Sequence, residues 1–276
     1  MVTGDGRLVT CSDDRDSDLF NAVLSGMGQC GIIVSATIPL VRAPTHVLLF
    51  TLNYSDIATA AADLTFLADS ERFDHLDGRS AAQPGGGFTF IIEAGAFYDA
   101  PDTPSEEDLL EGLSFTSHNA MDITFMQYHR RVPNPPRLAA QPWFIVYLPA
   151  STFVEYAARV FATPEEFAFG APRFAAYRTS PIRRPLVRMP NEDLAFRFQI
   201  VRNPPASFDD AQALLATNRA LFERARDVGG SRMTWAAIPF SQDDWVQHYG
   251  EAWPAFLDAK RRFDPNGVLT PGVGVF

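Results

Sequence analysis

"VTGDGRLVTCSDDRDSDLFNAVLSGMGQCGIIVSATIPL", residues 2–40, reads in succession as hairpin, helix, glycine turn and strand. Val2 and Thr3 suit a strand, Asp5-Gly6 favours the positive φ of a two-residue type I′ turn, and Leu8, Val9 and Thr10 suit the returning strand. Ser17 can cap a helix whose apolar residues Leu19, Phe20, Val23, Leu24 and Met27 recur at helical spacing, and Gly26 and Gly28 end it. Residues 32–38 then alternate, with Ile32, Val34, Ala36 and Ile38 on one face. A lone hairpin is marginal in water and leans on neighbours that bury one of its faces. With only Met1 ahead of Val2, the expectation is a lobe already under way where the chain begins.

Residues 26–31, GMGQCG, match G-x-G-x-x-G letter for letter, but the order around them is wrong for a dinucleotide. That fingerprint needs strand, glycines and then helix, so that a pyrophosphate meets a helix N-terminus. Here the glycines follow a helix and precede a strand. No Walker loop, G-x-S-x-G elbow or H-E-x-x-H sequence is present, and His46, His75, His118, His129 and His248 lack metal-ligand spacing. Cys30, with no His or Lys close in sequence, reads as a small packed residue.

A chain of 276 residues with 46% hydrophobic content and 23 Phe can fill a sizeable core. The net charge of −10 argues against nucleic acid or an anionic membrane as partner, since either needs a basic face. Two cysteines are too few for a disulfide framework. With no charged leader before an apolar run and no stretch of roughly 18 apolar residues, the expectation is a soluble, cytoplasmic protein.

Beyond Pro39 and Pro44 the pattern becomes strands with helices between them. Strands are expected over residues 46–53, 88–97, 143–148, 173–177, 194–202 and 233–238. Helices are expected over residues 57–67 after Ser55, 105–113, 152–161 after Ser151, and 208–228 after Ser207. Ser241 opens a further helix holding Trp245 and Tyr249, and Pro254 forces a kink or a new start. Half-polar strands with grouped helices predict an α+β fold, a large antiparallel sheet covered by helices.

The stretch at residues 2–40 resembles the closing part of the flavin-binding domain in cytokinin dehydrogenases and nearby bacterial FAD-linked oxidases, within the vanillyl-alcohol oxidase, PCMH-type group. Those proteins carry V-T-G-x-G-x-x-V-T-C-S and then D-L-F-x-A-V-L-G-G-L-G-Q-F-G-I-I-T. Residues 88–97, QPWFIVYLPAS at 141–151 and SQDDWVQHYGEAWPAFLDAKRRFDPNGVLTPGVGVF at 241–276 are similar to the family's cap domain and its C-terminal return.

The resemblance implies a remnant of the second FAD lobe over residues 1–42, a substrate-binding cap over 43–238 and the return over 239–276. Family members carry a long upstream part with the pyrophosphate loops, the covalent flavin attachment and the aspartate base, and this chain begins after it. By position, Ile33 matches main chain at the FAD nucleotide, Trp235 and Ala236 match a Tyr-Leu pair beside the flavin ring, and Thr270 and Val273 match a Ser and a Gln that bond it. Glu93 matches a carboxylate facing substrate, and Trp143 an aromatic wall against which a flat ligand stacks. A carboxylate in an apolar strand must find a partner or raise its pKa, which favours a cavity over a dry core. The resemblance therefore implies an FAD-dependent oxidoreductase whose substrate-binding portion, Glu93, Trp143 and Ala236, holds an amine or alcohol C–H over flavin bound at Ile33, Trp235 and Thr270. The alternative is a catalytically incomplete cap acting as a binding module or remnant, and the isolated chain is expected to show no flavin turnover. An upstream FAD-domain polypeptide or a second copy of the chain is the expected cover for the apolar edge at residues 32–38.

Overall fold

The computed structural model describes residues 1–131 and 140–276. In chain order the elements are α1 Ser17–Val23, β1 His46–Tyr54, α2 Ile57–Ser70, β2 His75–Ala82, β3 Phe88–Tyr98, α3 Glu106–Leu110, β4 Ser117–Thr124 and α4 Phe125–Arg130. They continue with β5 Phe144–Pro149, α5 Ala150–Phe161, β6 Pro172–Arg178, β7 Leu194–Ile200, α6 Ala211–Asp227, β8 Ser231–Arg232, α7 Gln242–Tyr249 and α8 Trp253–Phe263.

The strands form one sheet in the order β4-β1-β3-β2-β6-β7-β5-β8, and every neighbouring pair is antiparallel. This is the α+β architecture expected from the alternating strands. Leu48, Phe50, Leu52 and Tyr54 of β1, Phe90, Ile92, Ala94 and Ala96 of β3, and Phe196, Phe198 and Ile200 of β7 share one face. They pack with Ile57, Leu64 and Leu67 of α2, Phe153, Tyr156 and Val160 of α5, and Leu221 and Phe222 of α6 in a continuous core. Phe153 stacks on Phe196 with ring centroids 4.1 Å apart. Gly78 of β2 lies against Phe174 of β6, and a Cβ there would collide with the ring.

A buried arginine fastens α6 beneath this sheet. Arg202 is fully buried, donates to the carbonyls of Ala168 (2.8 Å) and Glu166 (2.6 Å), and meets the Asn218 amide oxygen at 3.1 Å. Asn218 in turn donates to the Pro142 and Ala237 carbonyls at 3.0 and 2.9 Å. No carboxylate faces Arg202 among the described residues, and desolvation lowers its pKa to about 10.

A second apolar cluster joins the two ends of the chain: Leu19, Val23 and Cys30 pack with Trp245, Tyr249, Phe256, Phe263 and Val275. Leu186, from the β6–β7 connection, packs there as well. Lys260 forms the polar knot of this lobe. It donates to Asp264 at 2.6 Å and to the carbonyls of Gln29 and Leu269 at 3.1 Å, while Asp264 accepts the amides of Leu269 (2.9 Å) and Val268 (3.0 Å).

Several local expectations are corrected. The hairpin turns through three residues rather than two: Thr3 N–H donates to Arg7 O, Gly6 N–H donates to Thr3 O, and Gly6 but not Asp5 takes a positive φ, the pattern of a G1 bulge. Residues 32–38 form no strand; Ile32 makes a single bridge to Val2, and with no further strand beside it the segment stays irregular and exposed. The expected strand at residues 233–238 shrinks to Ser231–Arg232. Met233 and Ala237 still donate to the carbonyls of Ile145 on β5 and of Trp143 just before it, but a turn from Ala236 N–H to Met233 O intervenes and throws Trp235 outward. The caps of α2 and α6 are Asp56 and Asp210 rather than Ser55 and Ser207. The GMGQCG glycines remain outside any helix N-terminus; Gly28 O accepts the Thr270 hydroxyl at 3.0 Å, which makes the segment a packing joint between the chain ends.

Candidate functional site: the open face of the sheet

Alternation that sends Phe90 and Ile92 into the core sends Glu93 to the opposite, helix-poor face. There Asn119, Thr51, Glu93 and Asp77 stand side by side on four successive strands, β4, β1, β3 and β2. Arg197 of β7 lies opposite Ala175 and reaches across that small side chain to Asp77, Nη2 to Oδ1 2.6 Å. Arg173 of β6 pairs with the other Asp77 oxygen. The second Arg197 Nη donates to the Tyr177 hydroxyl at 3.1 Å.

α4 builds one wall. Tyr128 packs edge-on to His75 and Phe97, and Arg131, just past the helix, lies over the Tyr128 ring at 3.9 Å and donates to Glu93. His75 Nε2 lies 3.3 Å from Glu93 Oε1. The nearby His75 ring and the Arg131 guanidinium hold the Glu93 carboxyl below its ordinary range against the opposing effect of burial. The result is an open cleft of ≈ 350 Å³ lined by His75, Asp77, Glu93, Tyr128, Arg131, Arg173, Arg197 and Gln199. A carboxylate kept ionised beside ring and guanidinium donors can accept a proton or hydrogen-bond an amine, hydroxyl or heterocyclic N–H.

The other sequence-derived residues fall into two places. Trp143, immediately before β5, packs against Trp235 with ring centroids 5.6 Å apart, and Trp235 is 56% exposed. Ala236 is buried, and its carbonyl accepts from Arg232 at 2.6 Å, so it presents nothing to open space. In the terminal lobe Ile33 lines a cleft of ≈ 590 Å³ between the hairpin and residues 33–37. Thr270 lies beside Gly28 and accepts the Gln29 side chain through its carbonyl at 3.1 Å. The structure thus brings Trp143 together with Trp235, and sets Ile33 and Thr270 in the terminal lobe, while Glu93 belongs to the charged cleft.

Sequence reasoning missed His75, Asp77, Arg131, Arg173 and Arg197. β2 reads HLDGRSAA, with few β-favouring residues, and becomes a strand because β3 and β6 flank it. Polar alternation at His75, Asp77 and Arg79 was the available signal. Among the described residues no group of His, Cys, Asp and Glu could hold a metal ion, and no helix is long and apolar enough to cross a membrane.

Comparison with known proteins places this geometry in context. An oxidoreductase of the fasciation locus of Rhodococcoides fascians is 30% identical, covering 99% of this chain and 64% of the relative. Cytokinin dehydrogenase 7 of Oryza sativa subsp. japonica is 28% identical, covering all of this chain and 62% of the relative. The chain therefore spans a little under two thirds of the length of these relatives. Among solved structures, a VAO-type flavoprotein from Myceliophthora thermophila aligns over 99% of this chain and 56% of its own, with a TM-score of 0.70 at 17% identity. The 6-hydroxy-D-nicotine oxidase of Arthrobacter nicotinovorans aligns over 97% and 63%, with a TM-score of 0.64 at 16% identity. These two likenesses establish the shared fold. The family model described as cytokinin dehydrogenase 1, FAD and cytokinin binding, matches residues 65–276, and the chain belongs to that family.

Proposed function

We propose that this chain is the substrate-binding portion of an FAD-dependent oxidoreductase, and that the open face of its sheet holds a small amine or alcohol with a C–H bond directed at the flavin. The observation that carries the reading is Glu93: a half-buried, ionised carboxylate on an otherwise apolar strand, in a cleft on the face the core helices leave uncovered. Arg131 and His75 keep this carboxylate ionised at the cleft, where its oxygens can also accept a ligand N–H or O–H.

The residues present fit a flavin nucleotide mainly through main chain. Residues 33–37 lie outside any sheet along the ≈ 590 Å³ cleft, where their N–H and C=O groups would hold the nucleotide edge. Val273 has no polar side chain to offer, and the Thr270 hydroxyl already donates to Gly28 O. When bound, flavin accepts the hydride. The chain's own part is to orient substrate with Glu93 and Tyr128 and to wall the site with aromatic rings.

Hydrogen–deuterium exchange on the full chain tests the reading. FAD is expected to protect residues 28–37 and 268–273, and benzylamine or benzyl alcohol to protect residues 74–79 and 89–95. Protection by the amine or alcohol confined to the terminal lobe would overturn the reading.

A further inference from the structure

Resting on the reading of the open sheet face as a substrate cleft, we infer that its ligand carries a carboxylate in addition to the amine or alcohol to be oxidised. The sign of the cleft is the first reason. Three guanidiniums, Arg131, Arg173 and Arg197, line it with two carboxylates, Asp77 and Glu93. Three positive charges against two negative leave one positive charge before His75 and His129, which also line the cleft, are counted, on a chain whose net charge is −10. A cationic amine alone would meet like charge, and a ligand bearing a carboxylate meets its complement.

Unused donors are the second reason. Both carboxylates are already engaged, Asp77 by Arg173 and Arg197 and Glu93 by Arg131 and His75. The guanidiniums are not used up: Arg197 Nε is buried with no hydrogen-bond partner among the described residues. Arg173 spends one nitrogen on Asp77 and keeps 45% of its side chain exposed. Gln199 lines the cleft beside Arg173, its register partner on β6. A planar fork with spare N–H groups matches a carboxylate in two-point geometry and opposite charge, whereas a neutral amide offers it a single oxygen and no charge. Apart from Tyr128, the described residues that line the cleft are charged or hydrogen-bonding side chains.

The test compares acids with their neutral isosteres on the full chain. Mandelate and 3-hydroxybutyrate are titrated beside mandelamide and 3-hydroxybutyramide by ligand-observed NMR, with hydrogen exchange locating the site. The acids are expected to bind at residues 74–79 and 89–95 about tenfold more tightly than the amides, with affinity falling as salt rises. Arg173→Gln is expected to remove about tenfold of the acid affinity and leave the amides unchanged. Arg131→Gln serves as the second variant, and unchanged melting shows that each still folds. Acids and amides bound equally in the cleft, or acid affinity untouched by both substitutions, would overturn the inference while leaving the substrate-cleft reading standing. Acids bound only outside the cleft would remove both.

Discussion

Asp77 and Glu93 stand directly opposite each other on β2 and β3, two carboxylates in register on one face of the sheet. Like charges so placed destabilise a sheet unless each is met by a cation. Here each is met from a different direction. Asp77 is taken by Arg197 and Arg173 from across the sheet, and Glu93 by Arg131 from the end of α4.

The two arginines on Asp77 should differ in their effect on stability. Arg197 is 18% exposed and Asp77 12%, so Arg197→Met leaves a buried carboxylate under-compensated and is expected to cost about 2–3 kcal/mol. Arg173 is 45% exposed, and Arg173→Gln is expected to cost below about 1 kcal/mol. Urea denaturation of the two variants decides it; equal losses would show that Asp77 is screened by solvent.

In the terminal lobe, Lys260 and Asp264 act as a unit. Asp264 has no exposed side-chain surface and Lys260 11%, so Lys260→Met or Asp264→Asn is expected to cost about 3–5 kcal/mol. The double variant should cost less than the sum of the singles, because no lone buried charge remains. Strict additivity in a double-mutant cycle would refute the coupling.

Acid should destabilise the protein through His248. Burial, then the nearby Arg232 and Arg188, push its pKa from 6.5 down to about 3. Between those values the unfolded chain binds a proton that the folded chain refuses, so stability falls as pH drops from about 6.5 toward 3, by up to about 1.4 kcal/mol per pH unit for this one group. His248→Gln should flatten that part of the stability profile. A slope unchanged in the variant would assign the acid sensitivity to other groups.

Thiol reactivity should separate the two cysteines. Cys30 is fully buried and its pKa is pushed up to about 12 by desolvation, so a thiol reagent at pH about 8 should spare it in the native state. Cys11 is partly exposed and should react first. One thiol titrated in the native protein and two in urea is the expected count; rapid modification of both would mean that the terminal cluster opens readily.

Much of the helical structure was legible because its signals are local. The stripe of Leu214, Leu221, Phe222 and Ala225 lies within one helix, Ser105 and Ser241 cap their own helices, and Ser241 with Asp244 completes a capping box. Hydrophobic strands such as β1 and β3 announced themselves by alternation. Glu93 was conspicuous for the same reason, as one carboxylate in an apolar run.

β2, β4 and α4 were missed because their residues carry little local preference; β4 reads SHNAMDIT and exists through its eight-residue register with β1. The α+β class, the family and the presence of a carboxylate to be satisfied were determined by residue pattern alone. Tertiary structure decided which cations satisfy it, bringing Arg197 to Asp77 from 120 residues away and Arg131 to Glu93 from 38. It also left the apolar residues 32–38 without a partner strand. The physical reason is common to both: helix caps and periodicity are set by neighbours in sequence, whereas strand order, register and ion-pair choice depend on which distant segments the sheet lays side by side.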